Sequence, residues 1–179
     1  YRADLYEEAG LEPPKTIPEF IANAQALTKD GMYGAAMNYQ RGSAIGQAYF
    51  EYIYAFGGKP FESEYPGSPD AYADMTPLLD SPESIAVVQF FKDMLQYVPV
   101  GAENVAWDER ATLFATGQVA AVNAWTVRTP GFANPEQSVV VDKFDTAMFP
   151  HAEGAEPGPP LGGWAMGINK FSEQKDLAW

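Results

Sequence analysis

The hydrophobic pattern reads as helix more often than strand. Residues 4–9 form a short helical segment that Gly10 can close in the left-handed conformation. Pro13-Pro14 makes a stiff link, and Thr16-Ile17-Pro18-Glu19 carries the spacing of a capping box with Pro in the first turn. Phe20, Ile21, Ala24 and Leu27 then recur at helical intervals. Residues 33–38 are short and apolar between glycines and predict a strand. Ser43 is placed to cap a helix whose apolar positions Ile45, Tyr49, Tyr52 and Phe56 run to Gly57-Gly58. Residues 59–80, dense in Pro and Gly, predict a long surface loop with a short hairpin. Ser81-Pro82-Glu83 opens another helix, whose apolar positions Ile85, Val88, Phe91 and Leu95 repeat at 3, 3 and 4. A helix over 108–116 stops at Gly117, and a buried strand follows over 119–125. Short strands are expected at 139–141 and 146–149, a loop over 150–160, and extended chain over 161–169. From 172 a helix capped by Ser172 begins, with Leu177, Ala178 and Trp179 starting an apolar face.

Composition narrows the function. Of 179 residues, 46% are hydrophobic and 14% aromatic, enough apolar surface for a core and against wholesale disorder. The length suits one domain. A formal charge of −13 argues against nucleic acid, whose phosphates call for clustered Lys and Arg, and reads as a solvated exterior. No run of about 18 apolar residues is present to span a membrane. With no cysteine, disulfides, thiolate catalysis and Cys-based zinc sites are excluded. The chain opens on Tyr1 and stops in an unfinished helix, so it is expected to be a piece of a longer protein. The lack of a leader at Tyr1 then says nothing about export.

Most catalytic constellations fail. His151 is the single histidine, expected exposed in a loop, and supports neither a metal centre nor a Ser-His-Asp triad. Gly57-Gly58 and Gly162-Gly163 lack the spacing of a phosphate cradle. The carboxylate neighbours Asp108–Glu109, Glu62–Glu64 and Asp142–Asp145 are what an acidic chain contains by chance, without an apolar pocket to raise one pKa. No calcium-loop pattern occurs. Catalytic residues, metal and cofactor are all expected to be none.

Rings beside glycine and polar residues at element ends carry more. Trp125 ends the strand in Asn123-Ala124-Trp125, with Arg128 a helical turn on. Trp164 follows Gly162-Gly163, and Tyr39-Gln40-Arg41-Gly42 lies between a strand and a helix. Ligands bind at strand C-terminal ends in α/β layers. Flat rings suit the C–H face of a pyranose, while Arg and Asn supply directional donors for its hydroxyls and Gly lets backbone approach. Each indole has a competing reading as a core anchor.

These residues carry a family resemblance. The run Tyr1-Arg2-Ala3-Asp4-Leu5-Tyr6-Glu7-Glu8-Ala9-Gly10-Leu11-Glu12-Pro13-Pro14-Lys15-Thr16 resembles a segment of family 1 extracellular solute-binding proteins of ABC sugar importers, the maltose-binding-protein-like group. The aromatic helix from Tyr49 to Gly58, the set Phe114, Gly117, Ala120, Ala121 and Trp125, and Gly162-Gly163-Trp164-Ala165-Met166-Gly167-Ile168-Asn169-Lys170 resemble its later motifs, in order across essentially the whole chain. Val122 departs, standing where the family often has Met.

The resemblance implies an α/β fold: one lobe of a type II periplasmic-binding-protein fold, helix-rich with a small sheet. Residues 1–163 would be the C-terminal lobe, and 164–179 a hinge-crossing strand and the start of a helix of the N-terminal lobe. It implies ligand contacts at Trp125 and Trp164, with Gly163, Tyr39, Arg41, Asn123 and Arg128 beside them. The expected protein is a non-enzymatic, monomeric substrate-binding component of an ABC importer, periplasmic or extracellular, free or lipid-anchored. It would hold a sugar, oligosaccharide or polyol between two lobes and deliver it to permease subunits. The rival readings are a carbohydrate-processing enzyme using a carboxylate pair and a structural or interaction module.

Overall fold

The computed structural model describes residues 1–63, 74–158, 162–163 and 166–179. Its elements in chain order are α1 (Ala3–Ala9), α2 (Ile17–Leu27), β1 (Tyr33–Ala36), α3 (Ser43–Ile53), α4 (Pro82–Met94), α5 (Trp107–Ala115), β2 (Val119–Val122), α6 (Thr129–Phe132) and α7 (Lys175–Ala178). Local signals placed several ends correctly. Gly10 closes α1 at φ 67°. Thr16 and Glu19 form the reciprocal capping box of α2. Ser81 Oγ accepts from Ser84 N at the start of α4.

β1 and β2 pair in parallel, with Tyr33 opposite Val119, Ala35 opposite Ala121 and Ala36 opposite Val122. Parallel neighbours need a long crossover, and here it carries α3, α4 and α5. Ala35 and Ala121 join a cluster built from Phe20 and Ala24 of α2, Ala48, Tyr52 and Ile53 of α3, and Val87, Phe90, Phe91 and Met94 of α4. Ala36 joins a second cluster, with Ala111 and Phe114 of α5, Phe132 and Val140. Small residues on the strands let the helices come close. At Gly34 a Cβ would stand 2.3 Å from the Ala24 carbonyl oxygen, so only glycine fits where β1 crosses α2. Among the described residues no helix is long and apolar enough to cross a membrane.

Several expectations are corrected. The inward face of α4 is Ser84, Val87, Phe90, Phe91 and Met94, whereas Ile85, Val88 and Leu95 are exposed. The helix is apolar on both sides, so periodicity could not choose between them. β2 stops at Val122 because its partner ends at Ala36; beyond that, Tyr39 N and Gln40 N both donate to Val105 O. No strand forms at 139–141 or 146–149. Val140 and Phe149 are buried or half-buried as single plugs, the latter 5.0 Å from the Tyr52 ring. Gly42 is the N-cap of α3, with Ser43 its first residue, and the helix ends at Ile53, running on in turns to Gly58. α7 starts at Lys175; Ser172 Oγ accepts from Gln174 N just before it. His151 is half-buried, its backbone bridging to the chain around Thr16 through Ile17 N to His151 O and His151 N to Lys15 O. The hairpin is present in its described arms: Glu62 N donates to Thr76 O, Ser63 N to Asp74 O, and Leu78 N to Pro60 O. Residues 64–73, Glu64 among them, lie outside the described residues, as do Leu161 and Ala165 of the expected extended stretch.

The α4 assignment yields a direct test. Phe90→Ala is expected to cost about 3–5 kcal/mol by emptying the core, and Ile85→Ser no more than about 0.5 kcal/mol, in urea unfolding. A second test uses alkali. Burial raises the phenol of Tyr6 from its ordinary 10.0 to about 12, and pushes Tyr39 and Tyr52 up as well. Raised folded values mean that this contribution is whole below pH 10 and is lost as pH climbs from there toward the folded values. Near-ultraviolet titration should therefore show these tyrosines ionising together with unfolding, after the exposed ones.

Candidate functional site

Four pieces of chain meet at the C-terminal end of the two-stranded sheet. The first is the exit from β1. Tyr39 is half-buried; its ring stands edge-on to Phe91 at 5.7 Å and its hydroxyl donates to Phe91 O at 2.7 Å. That hydroxyl is committed inward and is not free to donate at the surface. Gln40 and Arg41 are exposed, and the chain turns into α3 at Gly42, whose φ of 106° suits glycine. Gln40 O accepts from Ile45 N, tying the turn to the first turn of α3.

The second piece is the exit from β2. Asn123 is half-buried and its Nδ2 donates to the hydroxyl of the fully buried Tyr52. Trp125 is 38% exposed, in extended backbone, with its carbonyl accepting from Arg128 N at 2.9 Å. The indole is therefore neither a core anchor nor free of packing. Arg128 forms an ion pair with Asp108 at the start of α5.

The third and fourth pieces are the starts of α3 and α5. The residues before α5 lie against the exit of β1, since Val105 O takes the Tyr39 and Gln40 amides. Trp107 Nε1 donates to Gln47 Oε1 at 2.9 Å, joining α5 to α3. Gln47 Nε2 donates to Glu51 Oε1 at 3.0 Å, and Arg110 Nη1 and Nη2 reach the two Glu51 oxygens at 3.2 and 3.4 Å. The Glu51 and Arg110 side chains are 7% and 3% exposed. Beneath the exit of β1, Asn38 is fully buried, and among the described residues neither its amide oxygen nor its amide nitrogen has a hydrogen-bond partner. Such a group costs about 1–3 kcal/mol.

The structure thus gathers Tyr39, Arg41, Asn123, Trp125 and Arg128 at one end of the sheet. Gly163 is exposed, with no atom within 4 Å of where its Cβ would be. Trp164 lies outside the described residues. The carboxylate neighbours serve local structure: Asp108 pairs with Arg128, Glu109 accepts from Ala106 N, and Glu62 faces Lys59 at 3.4 Å. Sequence reading missed Trp107, Gln47, Asn38 and the Glu51–Arg110 pair. One signal was available: Gln47 and Glu51 are four apart on a helix whose neighbours Ala44, Ala48 and Tyr52 are buried, so the carboxylate had to find a partner inside.

Half-exposed rings, an anchored guanidinium and backbone turns at strand ends make a face suited to a small polar molecule, as in the binding lobes of α/β proteins. The chain belongs to the bacterial extracellular solute-binding protein family, which it matches over residues 1–179. It is 29% identical over 99% of its length to a probable amino-acid ABC transporter periplasmic-binding protein, y4oP, of Sinorhizobium fredii, covering 38% of that protein. It superimposes on an ABC transporter solute-binding protein of Agrobacterium radiobacter K84 in complex with ribitol, with a TM-score of 0.86 and 31% identity over 99% of this chain and 43% of the other. A solute-binding protein of Agrobacterium vitis S4 with bound D-mannitol gives 0.87 and 26% over 99% and 42%. The chain spans about two fifths of the length of these relatives. Its helix-rich α/β fold, with a small sheet, is part of the periplasmic-binding-protein fold.

The buried pair beneath this face is open to a double-mutant cycle. Arg110→Met alone should destabilise by about 3–5 kcal/mol, because Glu51 is left charged and unpaired. Arg110→Met with Glu51→Met should recover most of that loss in denaturant unfolding.

Proposed function

We propose that the protein is the substrate-binding component of an ABC importer and holds a polyol or sugar between this lobe and a second one. The observation that carries the reading is Trp125, a 38% exposed indole three residues beyond the C-terminal end of β2, with Arg128 anchored beside it. The relatives solved with ribitol and D-mannitol support the ligand class. On this reading residues 1–163 are the C-terminal lobe, and 164–179 are the hinge-crossing strand and the start of an N-terminal-lobe helix. Trp125 and Trp164 stack on the ligand's C–H faces. Arg41, Arg128 and Asn123 orient its hydroxyls, Tyr39 contributes a ring edge, and Gly163 lets backbone approach. Closing the lobes excludes water, and each polar contact then discriminates more strongly between solutes. The protein works without catalysis or cofactor, as a monomer in the periplasm or outside the cell, free or lipid-anchored, and hands its solute to permease subunits.

The full-length protein should melt at higher temperature with a polyol or sugar from a panel that also contains amino acids, since a ligand bound only by the native state stabilises it. A shift with an amino acid alone would instead favour the solute class in the name of the Sinorhizobium relative. Trp125→Ala should weaken calorimetric affinity about tenfold or more, roughly 1.4 kcal/mol, without unfolding the protein. Unchanged affinity removes Trp125 from the site.

A further inference from the structure

A hydrogen-bonded chain of side chains runs from the interior to the rim of this face. It begins at the buried Glu51–Arg110 pair and passes through Gln47 to Trp107. Its polarity is determined by chemistry. A carboxylate can only accept and an indole N–H can only donate. The amide between them therefore has one satisfying orientation, Nε2 toward Glu51 and Oε1 toward Trp107. Glu51 cannot turn away, because Arg110 holds both of its oxygens. Gln47 and Glu51 share a face of α3 at four residues apart, and Trp107 and Arg110 share one of α5 at three apart. The indole is consequently fixed at its single polar atom while its half-buried ring stays at the surface. Residues beside it in sequence contact the candidate site: Asp108 pairs with Arg128, and Val105 O accepts from the amides of Tyr39 and Gln40.

We propose that Trp107 is a further ligand-contacting ring that sets solute specificity, and that Gln47 is the positioning residue that holds it. The proposal rests on reading this face as a polyol or sugar site. A ring clamped by a buried ion pair loses little freedom when a solute stacks on it, which favours shape discrimination over adaptable binding.

The test titrates the full-length protein with D-mannitol and with ribitol by calorimetry, for wild type, Trp107→Ala, Trp107→Phe, Gln47→Met and the Trp107→Ala/Gln47→Met double variant. Trp107→Ala is expected to weaken binding of the preferred polyol about tenfold and to change the mannitol-to-ribitol ratio about threefold or more. Gln47→Met should weaken it less, and the double variant should be no worse than Trp107→Ala, because Gln47 acts through the ring. Trp107→Phe, which keeps a ring without the N–H, should resemble Gln47→Met and serves if the alanine variant does not fold. A purely structural Trp107 would lower the melting temperature and leave the ratio unchanged, which overturns the proposal; so does an additive double variant. Wild-type protein that binds neither polyol removes the polyol reading of this face, and the proposal with it.

Discussion

The parallel pairing of β1 with β2 is the constraint on which the rest of this molecule depends. Two strands running the same way cannot be joined by a turn, so the chain between Ala36 and Val119 must leave one end of the sheet and return to the other. That excursion holds α3, α4 and α5, and it brings the C-terminal ends of both strands out together. Everything attributed to the binding face follows from this: the turn into α3, the irregular chain from Asn123 to Trp125, and the start of α5 have nowhere else to converge. The second constraint is distance. Gly34 at the crossing with α2, and alanines at 24, 35, 36, 48 and 121, thin the layers so that the bulky rings of α3 and α4 can fill one side.

The rings of this chain fall into two kinds. Tyr52, Phe90, Phe91 and Phe149 stack among themselves at 4.8–5.7 Å and are core. Tyr39 straddles the boundary, with its hydroxyl turned inward onto α4. Trp125 and Trp107 stand at the edge, one held by backbone and one by a side-chain relay. Behind the Trp107 side of this edge the Glu51–Arg110 pair is buried, which ties that side to the rigidity of the core.

What could be read from the sequence was what local chemistry decides. The Thr16 capping box, the Ser81 cap and the Gly10 stop each depend on residues within four positions, and each is where the spacing predicted. Trp125 was expected to end a strand, and it lies three residues past the end of β2. The inward face of α4 was not legible, because Ile85 and Val88 are as apolar as Val87 and Phe91, and only the position of α3 decides between them. Strands at 139–141 and 146–149 had the right composition but no adjacent edge to pair with, since tertiary placement overrides propensity. Trp107 escaped because its partner is 60 residues away, and nothing within its own helix separates a site ring from a packing ring.

The Glu51–Arg110 pair also bears on how this sequence can change over generations. Either residue replaced alone leaves a naked charge in the interior, whereas an apolar pair in their place can be tolerated. The ionic and apolar versions are thus two viable sequences separated by unfit single steps. A lineage that holds the ionic version is confined to it unless both positions change together or surplus stability elsewhere covers the crossing. The contact therefore acts as a ratchet on the interior, while the exposed turns around Arg41 and Val127 carry no such constraint and can change one residue at a time.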